Sequence, residues 1–199
     1  MTLTLAHLKT YLRETLQNPR RGMRMVLDTG PSMVARVQAL VLMAVASALM
    51  LHLGFRLAPM PPGNPLIDML VASPFTTAIA QAVMLWITTV LIQAVGKAWG
   101  GQGDFGDSML AVVWLQAIFV GIQVVQTVAL LVLAPLASLI SLASLGLFFW
   151  LISHFVAEVH GFQSVGKVFL AILATMIALS FLMTFLLAML LGPGAFANV

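Results

Sequence analysis

The sequence contains no cysteine. Disulfides, thiol nucleophiles and thiolate metal sites are therefore excluded, and the redox compartment leaves no mark on the chain. Charge is almost as scarce. Only 8% of the 199 residues are Asp, Glu, Lys or Arg, while 61% are hydrophobic; a soluble domain carries about a quarter charged residues. Too few polar side chains remain to cover so much apolar surface in water, so the surrounding medium is expected to be lipid. The mean hydropathy of +1.08 agrees.

What fills the chain instead is long apolar runs. A membrane-spanning helix needs about 20 such residues, and five segments qualify: Val37–Phe55, Ser73–Val95, Ser108–Val132, Ala137–Ala157 and Val168–Leu191. Serine followed by proline at Ser73-Pro74 marks the start of the second helix. The third and fourth spans share one stretch from Ser108 to Ala157 without Asp, Glu, Lys or Arg. As one helix it would reach about 75 Å, far more than a bilayer core of about 30 Å. It must fold back, and Pro135 places the turn around residues 133–136. "GPG" at 192–194 ends the last span. The reading is all-α: a polytopic bundle of five transmembrane helices over residues 37–191, preceded by an amphipathic arm (1–36) and followed by a short tail (192–199). The first span is too long and too far from the N-terminus to read as a cleaved signal.

Basic residues set the expected orientation. Lys9, Arg13, Arg20, Arg21, Arg24, Arg36, Lys97 and Lys167 fall on one side of the membrane, and Arg56 alone on the other. The N-terminus is expected in the cytoplasm and the C-terminal tail outside. Within the arm, Leu5, Leu8, Leu12 and Leu16 form one helical face. Asn18-Pro19 then restarts the helix, and Arg20, Arg21 and Arg24 alternate with Met23, Val26 and Leu27. Such a segment suits an anionic membrane surface or a partner protein.

The loop "GGQGDF" (100–105) holds the densest group of glycines. It lacks the Gly-Lys-Ser/Thr ending of a phosphate loop, the preceding strand of a dinucleotide site and the acids of a calcium loop. A turn is the remaining reading. Gly100, Gly101 and Gly103 permit positive φ, and Asp104 or Asp107 caps the third span. Phe105 has no evident reason to face water. We expect it to fold back on Val159, His160 and Phe162, joining both inner loops into one platform with Glu158 and Lys167.

His154, Glu158 and His160 could in principle bind zinc, but the spacing lacks paired histidines four residues apart, and no further ligand is near. Gln116, Gln123 and Thr127 lie near one face of span three, and Ser138, Ser141 and Ser144 along span four. Small and amide side chains of this kind usually join helices; the alternative is a transport path. No Ser–His–acid set or paired carboxylates occur within the membrane. No catalytic residue, metal, cofactor or nucleic-acid partner is expected.

Three stretches resemble the Yip1 family of multi-spanning membrane proteins: "NPRRGMRMVL" ahead of span one, "WGGQGDFGDSMLAVVW" opening span three, and "AEVHGFQSVGKVFLAIL" before the last span. The likeness covers roughly residues 15–190. The Asp-Leu-Tyr-Gly-Pro motif of the eukaryotic branch is missing, as is the proline often found inside the third span. The resemblance thus implies a prokaryotic-type member and a fold, without carrying over the GTPase binding of the eukaryotic branch. Two functions follow as expectations. One is a non-enzymatic scaffold or adaptor that contacts lipid, a protein partner or a second copy through its arm and cytoplasmic loops. The other is a small transporter, channel or lipid-handling protein with a polar path between spans three and four.

Overall fold

The computed structural model of the chain describes residues 5–58, 68 and 72–191. Among these there are helices and no strands. Two short helices, α1 (Leu5–Gln17) and α2 (Pro19–Leu27), form the arm. Five long ones follow: α3 (Met33–Leu57), α4 (Pro74–Ala98), α5 (Phe105–Val132), α6 (Ala134–His160) and α7 (Val165–Leu191). All five are long and apolar enough to cross a membrane. Residues 1–4, 59–67, 69–71 and the tail 192–199 lie outside the described residues.

Local chemistry sets the helix ends. The Asn18 side chain accepts from the Arg21 N–H, and Pro19 opens α2. Ser32 caps α3 through the Ala35 N–H, and Ser73 caps α4 ahead of Pro74. Asp104, not Asp107, caps α5, accepting from the Asp107 N–H at 2.6 Å. Leu133 alone is extended between α5 and α6, and Pro135 sits in the first turn of α6. Gly161, at φ 73°, ends α6 in the left-handed region, and the Phe162 N–H bonds the Ala157 carbonyl. Ser32, Asp104 and Gly161 lie outside the apolar runs that they bound. The helices therefore extend past the spans drawn from hydropathy alone, by a turn or so at several ends.

The helices do not pack evenly along their length. α3, α4, α5 and α6 form the bundle, and α7 packs chiefly on α6. Buried residues crowd the end that carries the arm. On α5 they run from Ser108 to Leu115 and on to Ile118; on α6 they are Leu151–Ser153, Phe155–Ala157, Val159 and His160. At the opposite end Leu131, Val132, Leu133, Leu139 and Leu142 are exposed. In lipid this costs little, because hydrocarbon solvates leucine as well as another leucine does. The compact end therefore holds the fold together. Met23 and Val26 of α2 belong to its main cluster, alongside Leu110, Trp114, Leu151 and Phe155. A second cluster joins Leu40 and Ala44 of α3 to Leu85, Met109, Val112 and Val113.

Candidate functional site: the platform at the arm end

The arm is built into the bundle. Gly22 lies against the backbone of Thr15, where any Cβ would collide, so α1 and α2 pack face to face. Thr15 is fully buried; its hydroxyl donates to the Tyr11 carbonyl at 2.7 Å and accepts from the Trp114 indole N–H at 3.1 Å. Beside this contact, the arm is held by charge. The Glu158 side chain, 10% exposed, accepts from Arg20 Nε at 2.9 Å with one oxygen and from Arg24 Nε at 2.7 Å with the other. Carboxylate oxygens shared between two guanidinium groups make charge-assisted bonds stronger than neutral ones. Arg36 does the same for α3 and α5, donating to Asp107 at 3.1 Å and to the Pro31 carbonyl at 3.0 Å.

The face of α1 that packs inward carries Tyr11 and Thr15, while Leu8, Leu12 and Leu16 remain exposed. The leucine stripe is thus left on the outside, where a membrane surface or a partner can meet it.

The two inner loops meet at His160. Its ring is 2% exposed. Gly96 of α4, Gly101 and Gly103 close around it. A Cβ on Gly101 would lie 2.6 Å from His160 Nδ1, and one on Gly103 would lie 3.0 Å from the same atom. On Gly96 it would meet the imidazole directly. Phe162 stacks on the ring, with centroids 5.7 Å apart. The Gln102 N–H bonds the His160 carbonyl at 3.2 Å, tying loop 99–104 to the end of α6. Among the described residues neither buried ring nitrogen makes a full hydrogen bond, and the backbone of Ile92 is a polar group that faces the ring. Of the loop glycines only Gly100 has positive φ, at 83°; Gly101 and Gly103 are there for close approach, not for left-handed backbone.

Phe105 departs from expectation. It packs edge-on against Trp86, with centroids 5.3 Å apart, and joins the second cluster rather than His160 and Phe162. An aromatic one residue past the Asp104 cap turns with the first turn of α5 into the α3–α4–α5 interface. The glycines make the contact between the loops instead.

His154, Glu158 and His160 are sent three ways. His154 Nδ1 pairs with the Trp150 carbonyl at 2.7 Å, Glu158 turns to the arginines, and His160 is enclosed by glycine. Among the described residues no group of three His, Asp or Glu is placed to hold a metal. Lys167 is exposed at the start of α7, and its N–H bonds the Ser164 hydroxyl.

The intramembrane polar residues also separate. The Gln116 amide bonds Ser47 of α3. Gln126 bonds Ser141 at 3.0 Å. Ser138 and Ser144 bond carbonyls of their own helix, as Thr127 does with Gln123. Gln123, Gln126, Thr127, Ser138 and Ser141 line a cleft of about 440 Å³ between the far ends of α3, α5 and α6. Among the described residues Gln123 Oε1 is buried there without a partner. The cleft lies at the end opposite the arm; toward the arm, the packed layer of Trp114, Leu115, Ile118, Leu151 and Phe155 follows.

Sequence reasoning missed the Thr15–Trp114 bond and the salt bridges of Glu158, whose partners lie more than 130 residues away. One signal was available. Gly22 sits inside a helix, where glycine costs about 1 kcal/mol relative to alanine, and such a glycine often marks a close approach.

A family model described as the Yip1 domain matches residues 13–188. Searches of the curated proteins and of the solved structures find no match.

Proposed function

The chain belongs to the Yip1 domain family, and from that premise we propose that it is a non-enzymatic membrane scaffold or adaptor whose contact surface is the platform at the arm end. The observation that carries this reading is the union of three distant segments into one surface. Arg20 and Arg24 grip Glu158, and the Gln102 N–H grips the His160 carbonyl. A preorganised surface loses less entropy on binding than three separate loops would. It presents Trp99, 64% exposed, and the uncovered Leu8, Leu12 and Leu16. Eight of the nine basic residues lie on this side, which supports a cytoplasmic position by the positive-inside rule, and a prokaryotic inner membrane is the setting we assign.

Orientation is checked by cysteine labelling in intact cells. Gln102→Cys and Gln163→Cys should resist a membrane-impermeant thiol reagent, while Ala58→Cys and Leu133→Cys should react. Labelling of Gln102→Cys would reverse the topology.

The adaptor role is tested by site-specific photo-crosslinking at native expression level. A crosslinker at Arg13, Trp99 or Gln102 should capture one stoichiometric protein, and the same group at Leu142 should capture none. The far-side cleft with its unpartnered Gln123 supports a second reading, transport of a small polar solute. Solute flux into sealed vesicles that is lost with Gln123→Leu, without any crosslinked partner at the platform, would favour transport and overturn the adaptor.

A further inference from the structure

We propose that the groove between α4 and α7 is a binding site for an anionic glycerophospholipid, with one acyl chain in the groove and the phosphate at Lys167. The site adjoins the platform and shares Trp99 with it, but it needs only the membrane setting.

The groove arises because α7 leans on α6 while α4 is held by α3 and α5. Between α4 and α7 a cavity of about 660 Å³ remains, floored by Phe148, Ile152 and Val156 of α6. That is the size of a ligand site. Its walls are almost wholly apolar. The two threonine hydroxyls that line it, on Thr88 and Thr175, donate to the Met84 and Ala171 carbonyls and ask nothing of an occupant. Along α7 the lining runs from Lys167 to Leu179, about 18 Å at the helical rise, a reach that suits an acyl chain. A chain lying in a concave wall gains dispersion contacts on several sides, which an exposed helix face does not offer.

The polar end of the groove fixes the headgroup. Trp99, Gln163, Ser164 and Lys167 form its rim, and tryptophan and lysine both favour the headgroup level of a bilayer. Lys167 is exposed and takes part in none of the ion pairs among the described residues. The acids nearby in the platform are already engaged: Glu158 by Arg20 and Arg24, Asp107 by Arg36, and Asp104 by the α5 amide it caps. The rim therefore offers positive charge that no carboxylate on the platform neutralises, and phosphate complements it.

The test is native mass spectrometry of the purified full-length protein titrated with phosphatidylglycerol or phosphatidylcholine of identical acyl chains. Wild type should retain one phosphatidylglycerol in preference to phosphatidylcholine. Lys167→Gln, a surface change that should leave folding intact, should lower phosphatidylglycerol retention about fivefold, the loss of one basic contact with an anionic headgroup, and leave phosphatidylcholine unchanged. Ala171→Trp, which fills the groove, should abolish retention of both, whereas Leu142→Trp on the exposed face of α6 should have no effect. Equal retention of the two lipids by wild type, or a Lys167→Gln protein indistinguishable from it, would overturn the proposal. A dimer that Ala171→Trp dissociates while lipid retention is unchanged would assign the groove to a second copy instead.

Discussion

Gly96→Val should lower the thermal midpoint of the purified protein by roughly 6–12 °C, the shift expected for about 3 kcal/mol in a chain of this size. Intrinsic propensity argues the other way, because replacing a helical glycine with alanine should gain about 1 kcal/mol. Packing decides. The Gly96 Cα faces the His160 imidazole, and an added Cβ would lie 2.6 Å from its Cδ2. The ring cannot swing aside, since Gly101 and Gly103 close the other edges and Phe162 covers its face. Overpacking of this kind costs about 1–3 kcal/mol, and the two γ-methyls of valine press harder than one Cβ. Two controls separate this from a general effect of valine in a helix. Gly146, on α6, has open space where its Cβ would be, so Gly146→Val should change the midpoint little. His160→Ala should restore room, so that the double variant is more stable than Gly96→Val alone, a coupling that only contacting residues show. Equal losses from Gly96→Val and Gly146→Val would show that the glycines around His160 do not carry the packing.

This glycine enclosure marks the limit of what the sequence discloses. The five spans were legible because lipid imposes length and apolarity on each helix separately, and such local rules survive translation into sequence. So was the helix start at Ser73-Pro74, and the start of the third span was narrowed to Asp104 or Asp107; in both places a side chain bonds an amide two or three residues away. Glycine is ambiguous, however. It serves both positive φ and close approach, and "GGQG" reads the same for either use; only the position of His160 distinguishes Gly100 from Gly101 and Gly103. Phe105 misled for a related reason. Hydrophobicity in water specifies inside, but beside a membrane it specifies only away from water. Phe105 went to Trp86, Leu8, Leu12 and Leu16 stayed exposed, and Tyr11 and Thr15 took the inward face. The pairing of Glu158 with the arm depends on the whole bundle bringing the end of α6 over α2, and no spacing rule reaches that far along the chain.

Glu158→Gln should loosen the arm without detaching it, and the reason lies in the relative size of the forces that hold it. The carboxylate is nearly enclosed, but Arg20 and Arg24 are 33% and 57% exposed. Water therefore screens the pairs, and their joint loss is worth about 1–2 kcal/mol rather than the larger cost of breaking a wholly buried pair. Met23 and Val26, both buried among α5 and α6 side chains, contribute about 1.5–3 kcal/mol each, and the Trp114–Thr15 bond adds about 1 kcal/mol. Hydrophobic anchoring is the larger share. In Glu158→Gln, hydrogen exchange at residues 19–27 should accelerate about tenfold, the factor that 1.4 kcal/mol represents, while exchange at 150–157 stays at the wild-type rate. Adding Met23→Ala, which empties a fully enclosed site, should cost a further 2–5 kcal/mol and free α1 and α2 altogether. Salt supplies the check on mechanism. Raising the ionic strength screens exposed charges, so it should accelerate exchange at 19–27 in wild type and leave the already faster Glu158→Gln unchanged. The same salt response in both proteins would mean that Met23 and Val26 dock the arm alone and that the arginines merely rest on Glu158.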